Sequence, residues 1–199
     1  MNSTIIEVFN KFAEQYADFT FQNNILQYEL NRFISLVPKN GVILDLGCGS
    51  GRDVQYFMDY NLDVVGVDAS EKLIHEAKKR VNGKLMVMDM MELNFNDGIF
   101  DGVWAQDSIS YITKKELEKV FEKLNLILKN DGMLFISVRK GEGERLIRHE
   151  ELGKEQIFTC FFNKDELEEM LKGKRFEILD SCIQKGEEHT WINIFAKKL

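Results

Sequence analysis

The sequence predicts an α/β fold, a mostly parallel sheet between layers of helices, and three observations carry that prediction. An apolar run, Val42-Ile43-Leu44-Asp45-Leu46, opens into a loop with glycine at every second position, Gly47-Cys48-Gly49-Ser50-Gly51. Downstream, apolar runs alternate with stretches whose apolar residues recur at helical spacing, the pattern of successive β-α-β units. Near the end, two apolar runs flank a glycine turn, as a hairpin requires.

The elements follow in order. Ile5, Val8, Phe9, Phe12 and Tyr16 recur as one helical face, and Ile25, Leu26, Leu30, Phe33 and Ile34 as a second. Pro38, the single proline, joins Lys39-Asn40-Gly41 in a turn before the first strand. Behind the glycine loop, Val54, Phe57 and Met58 begin an amphipathic helix. Further strands are predicted over 63–67, 84–88, 100–105 and 133–138, with helices over 70–80 and 114–129. Residues 163–171 read as a helix capped by Asn163, with Glu166 three positions on. A strand over 175–180, a turn at Lys185-Gly186-Glu187 and a strand over 190–196 form the terminal hairpin.

Composition narrows the function classes. At 199 residues the chain reads as one domain with room for a substantial core. Its net charge of −7, without a basic run, disfavours a large polyanionic partner, although a local basic groove stays open. No segment approaches a membrane span, and the N-terminus lacks a signal pattern. Cys48, Cys160 and Cys182 are scattered and odd in number, which gives neither a disulfide framework nor metal-ligand spacing. A cytoplasmic protein without a metal site is expected.

The glycine loop sits at the carboxyl edge of a parallel sheet, where open α/β folds bind ligands. Glycine permits positive φ and close approach of a ligand to the backbone. N–H groups left free at the following helix start would suit a carboxylate or phosphate. The dinucleotide fingerprint is G-x-G-x-x-G. Here Gly47-x-Gly49-x-Gly51 is one residue short of it. Three acidic residues, Asp45, Asp68 and Asp89, close successive strands on this one edge. Asp68 suits a ribose, since one carboxylate accepts from both hydroxyls. Ser70 is placed to cap the next helix, leaving Asp68 for that role.

The string Asp45-Leu46-Gly47-Cys48-Gly49-Ser50-Gly51 closely resembles the first motif of class I S-adenosylmethionine-dependent methyltransferases, and the likeness covers nearly the whole chain from Gly41 on. It implies a Rossmann-like three-layer sandwich, a seven-stranded sheet of order 3-2-1-4-5-7-6 with strand 7 antiparallel, preceded by N-terminal helices. The implied organisation is a single domain over 1–199. Residues 1–40 would form part of a substrate cover and 41–199 the Rossmann-like core. By the same resemblance, Asp45 braces the loop and reaches the methionine end of the cofactor. Asp68 and Ala69 meet the ribose. Asp89 takes the adenine amino group, the Met90 N–H serves a ring nitrogen, and Ala105 and Gln106 approach the methionine amine. Gly47, Cys48, Gly49 and Gly51 form the loop, Cys48 as packing and not as chemistry. Arg52 and Tyr16 are candidates for the cofactor carboxylate, against readings as a solvated helix residue and a core residue.

The implied activity is methyl transfer from S-adenosyl-L-methionine, leaving S-adenosyl-L-homocysteine, to an oxygen or nitrogen of a small-molecule acceptor. Such a transfer needs orientation and, for some acceptors, a general base. Asp107 and Tyr111 are candidates for that work. His149 is the best-placed titratable base, against a reading as a surface histidine on a long, charged loop over 139–162. A nicotinamide-dependent oxidoreductase and a non-catalytic S-adenosylmethionine-binding protein are the alternatives.

Overall fold

The computed structural model describes residues 2–23, 26–186 and 189–199. The helices are α1 (Ser3–Lys11), α2 (Ala13–Phe21), α3 (Gln27–Leu36), α4 (Arg52–Asp59), α5 (Glu71–Arg80), α6 (Lys114–Ile127) and α7 (Lys164–Gly173). The strands are β1 (Val42–Leu46), β2 (Asp63–Asp68), β3 (Lys84–Val87), β4 (Phe100–Gln106), β5 (Leu128–Arg139), β6 (Glu144–His149), β7 (Glu155–Cys160), β8 (Phe176–Lys185) and β9 (Thr190–Lys198). Seven of these strands form one sheet in the order β3-β2-β1-β4-β5-β9-β8. β9 runs antiparallel to both β5 and β8, and the other pairings are parallel. This is the order expected above, with β8 and β9 in the sixth and seventh places.

Alternation along the strands explains the layers. Leu44 and Leu46 of β1 join Val103 and Ala105 of β4 in an apolar layer beneath α6 and α7. Ile43 and Trp104 face the other way, with Phe33 of α3 and Phe57 of α4. Trp104 stacks on Phe135 at 3.9 Å between ring centroids and meets Phe33 edge-on. A third cluster joins Ile5 and Phe9 of α1 to Tyr111, Leu152 and Ile157, seating the N-terminal helix over the carboxyl edge of the sheet.

Local signals behave as their chemistry dictates. The Ser70 hydroxyl caps α5 by accepting from the Leu73 N–H at 3.1 Å. Asn163 caps α7 through the Glu166 N–H at 2.8 Å. The Glu166 carboxylate is bonded to the Lys114 ammonium, 2.7 Å from one oxygen.

Four expectations need correction. The first helical face is broken at Phe12, whose φ of −111° and ψ of 19° separate α1 from α2. Ile25 of the second face and Glu187 of the last turn lie outside the described residues. The helix predicted over 114–129 ends at Ile127, and β5 starts at Leu128, five residues before the strand predicted over 133–138. The expected loop over 139–162 is an antiparallel hairpin, β6 with β7. β6 shows no clear signal in the sequence because Glu144, Arg145 and Arg148 are charged and exposed and its two apolar residues, Leu146 and Ile147, are adjacent and so point to opposite faces.

Candidate functional site

The site is built on the carboxyl ends of β1, β2, β3 and β4. Gly47 turns the chain at φ +77°, where a Cβ would stand 2.4 Å from the Ser108 Cβ. The loop is held from within. The Gly47 and Cys48 N–H groups both donate to the Val67 carbonyl, at 2.8 and 2.9 Å, and the Gly51 N–H donates to the Cys48 carbonyl at 2.9 Å. The Gly49 N–H donates to the Asp68 carboxylate at 3.0 Å. The expectation of a loop with free N–H groups for an anion is therefore wrong at these four positions. Pairing with the neighbouring strand end consumes the donors.

An open cavity of about 570 Å³ lies over these strand ends. Leu46, Val67, Met88 and Met90 make it apolar, Ile6 and Phe9 of α1 cover it, and Asp68, Ala69 and Ser70 give one polar wall. Asp68 accepts from Ser70 N–H at 2.8 Å as well as from Gly49. It is thus not left wholly free by the Ser70 cap, but each carboxylate oxygen retains a second lone pair. Burial pushes its pKa up to about 6, against the two backbone donors that stabilise the charge. An apolar slot with Asp68 on its polar wall fits a nucleoside in chemistry.

Asp89 lies between Met88 and Met90 but does not line the cavity, and its Oδ1 accepts from the Met91 N–H at 2.9 Å. Gly51 also stands outside it. At φ +81° it starts α4, packed against Val81 and Ala77. Ala105 is fully buried and lines neither this cavity nor its neighbour, whereas Gln106 lines both.

The neighbouring cleft, of about 1810 Å³, shares Tyr16, Gly47, Gly49, Gln106 and Asp107 with the first cavity. At its floor Asp45 is 3% exposed and its Oδ2 has no hydrogen-bond partner among the described residues. Burial, then the nearby Asp53 charge, push the Asp45 carboxyl well above the usual carboxylate range. Arg52 is not a solvated helix residue. Its Nε lies 2.7 Å from one Asp53 oxygen and its second terminal nitrogen 2.9 Å from the other, a bidentate pair. The same guanidinium reaches Gln106 Oε1 and, at 3.0 Å, the Asn23 carbonyl. Asp53 in turn accepts from Trp104 Nε1 at 2.8 Å. The sequence reading missed Asp53, although it directly follows Arg52 at the helix start. Cys48 lines the cleft and is buried; burial, then Asp45, raise its thiol well above the ordinary value, in keeping with packing.

Of the three catalytic candidates, Asp107 and His149 line this cleft, whereas Tyr111 lines the first cavity. Asp107, at φ +47°, accepts from an Arg139 terminal nitrogen at 3.3 Å, while its Oδ1 is buried without a partner among the described residues. Burial raises Asp107, and the Arg139 and His149 charges oppose that rise. Tyr111 is raised well above the phenolic range, first by burial and then by Asp107. Phe9 and His149 flank its ring. His149 overturns the surface reading: it is 2% exposed at the end of β6. Tyr16, a core residue as well as a site residue, lines both spaces, and burial followed by Asp107 raises its phenol. Arg139, closing β5, emerges only from the structure as the partner of Asp107. Among the described residues no group of three His, Cys, Asp or Glu could hold a metal ion.

The sheet order and the edge site define the fold of the class I S-adenosylmethionine-dependent methyltransferases. Residues 43–132 match the family described as "Methyltransferase domain". The Bacillus subtilis protein YqeM, itself only provisionally assigned as a methyltransferase, is 32% identical over 108 residues, 51% of this chain and 44% of that protein. An 18S rRNA (guanine-N(7))-methyltransferase of Schizosaccharomyces pombe is 28% identical over 134 residues, covering 60% of this chain and 50% of that one. This chain spans about half the length of the curated relatives it matches. Among solved structures, a Methanosarcina mazei SAM-dependent methyltransferase superposes with a TM-score of 0.74 at 23% identity, covering 83% of this chain and 95% of that one. The Burkholderia thailandensis 1,6-didemethyltoxoflavin-N1-methyltransferase, solved with S-adenosylhomocysteine, gives 0.72 at 19% identity, covering 98% and 88%. At these identities the structural likeness establishes the fold. No helix among the described residues is long and apolar enough to cross a membrane.

Proposed function

We propose that the chain is an S-adenosylmethionine-dependent methyltransferase acting on an oxygen or nitrogen of a small molecule, with the cofactor's nucleoside in the first cavity and the acceptor in the second. The observation that carries this is the apolar cavity with Asp68 as its carboxylate wall, above a loop whose N–H groups are already bonded. A dinucleotide pyrophosphate draws on free N–H donors at such a turn. A nucleoside without phosphate needs only the close backbone approach and the carboxylate. That weighs against the nicotinamide alternative.

In this reading Asp68 and Ala69 meet the ribose, and Met90 flanks the base with Asp89 at the rim. Gln106, Asp45, Arg52 and Tyr16 surround the junction of the two spaces, where the amino-acid end of the cofactor would lie. The loop residues Gly47, Cys48 and Gly49 make the floor, and Gly51 sets the start of α4. When bound, the cofactor supplies a methyl group already activated on a sulfonium. The protein contributes orientation and water exclusion, with residues 1–40 as part of the cover over a single domain. The small-molecule acceptor is favoured by the net charge of −7; the rRNA-modifying relative is the counterexample to be tested.

Isothermal titration with S-adenosylmethionine, S-adenosylhomocysteine, NADH and NADPH tests the reading. Saturable binding of the sulfur nucleosides alone is expected. Binding of a nicotinamide nucleotide instead would overturn it.

A further inference from the structure

Four residues lining the cleft carry a buried polar atom without a partner among the described residues: Asp45 Oδ2 at the floor, and Asp107 Oδ1, Arg139 Nε and His149 Nε2. Asp107 and Arg139 are bonded to each other through their remaining atoms. His149 differs, because its other ring nitrogen is fixed. Nδ1 lies 2.9 Å from Glu151 Oε1. Burial raises Glu151, but the His149 hydrogen bond, with the His149 and Arg139 charges, outweighs it and leaves the carboxyl below its ordinary range. An ionised carboxylate only accepts, so Nδ1 carries a hydrogen, and the ring in its neutral form then has its lone pair on Nε2. A buried imidazole held by a carboxylate, in a residue that lines the cleft and with its second nitrogen buried and unpartnered among the described residues, has the parts of a general base.

The cleft wall adds a second constraint. Tyr16, Phe19, His189 and Trp191 line it, and the Arg139 guanidinium stands 5.6 Å from the Trp191 ring centroid. Planar surfaces of this kind favour a flat acceptor. Resting on the methyltransferase reading, we propose that His149 is the catalytic base, oriented by Glu151, and that the acceptor is an aromatic hydroxyl whose proton must be removed as it is methylated.

The step balances. The acceptor oxygen forms a bond to the methyl carbon, the C–S bonding pair stays on sulfur, and the O–H bond breaks with its proton passing to Nε2. The imidazolium is stabilised by the Glu151 carboxylate and returns the proton to water. Asp107 and Tyr111 stand beside this ring, and Arg139, Arg148, Glu150 and His189 are among the other charged or titratable groups lining its cleft. Glu151 acts as a positioning residue, since it works through His149.

Two measurements test the proposal. The first reads imidazole nitrogens by long-range ¹H–¹⁵N NMR in protein labelled at histidine, with His75→Gln and His189→Gln used for assignment. A single Nδ1–H tautomer is expected for His149, becoming a mixture in Glu151→Ala. An Nε2–H tautomer in the unmodified chain would overturn the assignment. The second follows methylation of 4-methylphenol and of 4-nitrophenol at a pH where only the latter is ionised. His149→Gln should lower kcat about 10²–10⁴-fold with 4-methylphenol and far less with 4-nitrophenol. Equal losses would make the role structural, and turnover of neither phenol by the unmodified chain would overturn the acceptor class. S-adenosylhomocysteine should bind His149→Gln as it binds the unmodified chain. That separates failure of this proposal from failure of the cofactor reading.

Discussion

Gly47→Ala isolates what the glycine loop contributes, because Gly98 offers a control with nearly the same backbone. Gly47 lies at φ +77° and Gly98 at φ +63°, so alanine is strained at both. Their surroundings differ. A Cβ at Gly47 would be 2.4 Å from the Ser108 Cβ, whereas nothing lies within 4 Å of one at Gly98. Left-handed strain costs about 1–2 kcal/mol for a residue with a Cβ. Forcing a carbon into a packed contact adds about 1–3 kcal/mol. Gly98→Ala should thus cost about 1–2 kcal/mol and Gly47→Ala about 2–5. For a chain of this size, thermal unfolding should shift by about 2–8 °C and about 4–20 °C respectively. Differential scanning calorimetry on both variants and on Gly47→Ala/Ser108→Gly makes the comparison. The double variant should recover the contact part and keep the strain. Equal losses for the two single variants would refute the close approach of the loop to Ser108.

Three further outcomes follow from the site. Asp68 sits at about 6 in the free protein. A ligand bonded to its ionised form lowers that value, so cofactor affinity should rise as pH increases through 6, and binding near pH 6 should release a proton. Titration in buffers of different ionisation enthalpy reads this, and Asp68→Asn should abolish the pH dependence. Asp53→Ala removes the acceptor of Trp104 Nε1 and leaves the largely buried Arg52 without its bidentate partner. A broken buried pair costs about 3–5 kcal/mol; an urea midpoint unchanged from the parent would show that the pair contributes nothing. Finally, Tyr60→Ala, at a side chain 49% exposed and outside both cavities, should alter neither stability beyond about 0.5 kcal/mol nor cofactor affinity.

How much of this was readable in advance depends on the range of the contacts involved. β1, the glycine loop and Asp68 are specified by contiguous residues, and the alternation of strands and helices carries the parallel part of the sheet. The terminal hairpin was visible in two apolar runs around a glycine turn. By contrast, β6 is mostly exposed, and β7 buries Ile157, Thr159 and Cys160 without a polar residue alternating between the last two, so neither strand shows a clean two-residue alternation. Burial of His149 depends on that hairpin folding back beside Tyr111, a long-range event that no local pattern encodes. The bonded state of the loop N–H groups likewise depends on Val67 and Asp68, which lie on another strand. Arg52 reads as a solvated helix residue by type alone, yet its pairing with Asp53 turns it toward Gln106 while Asp53 accepts from Trp104, contacts that depend on β4.

The central claim, that S-adenosylmethionine binds across the carboxyl ends of β1, β2 and β3, is tested most directly by a crystal structure of the chain with S-adenosylhomocysteine. The ribose hydroxyls should lie on the Asp68 carboxylate, the adenine beside Met90 and the sulfur near Gln106, facing the cleft that His149 lines. A nucleoside bound elsewhere, with the Asp68 cavity empty, would contradict it.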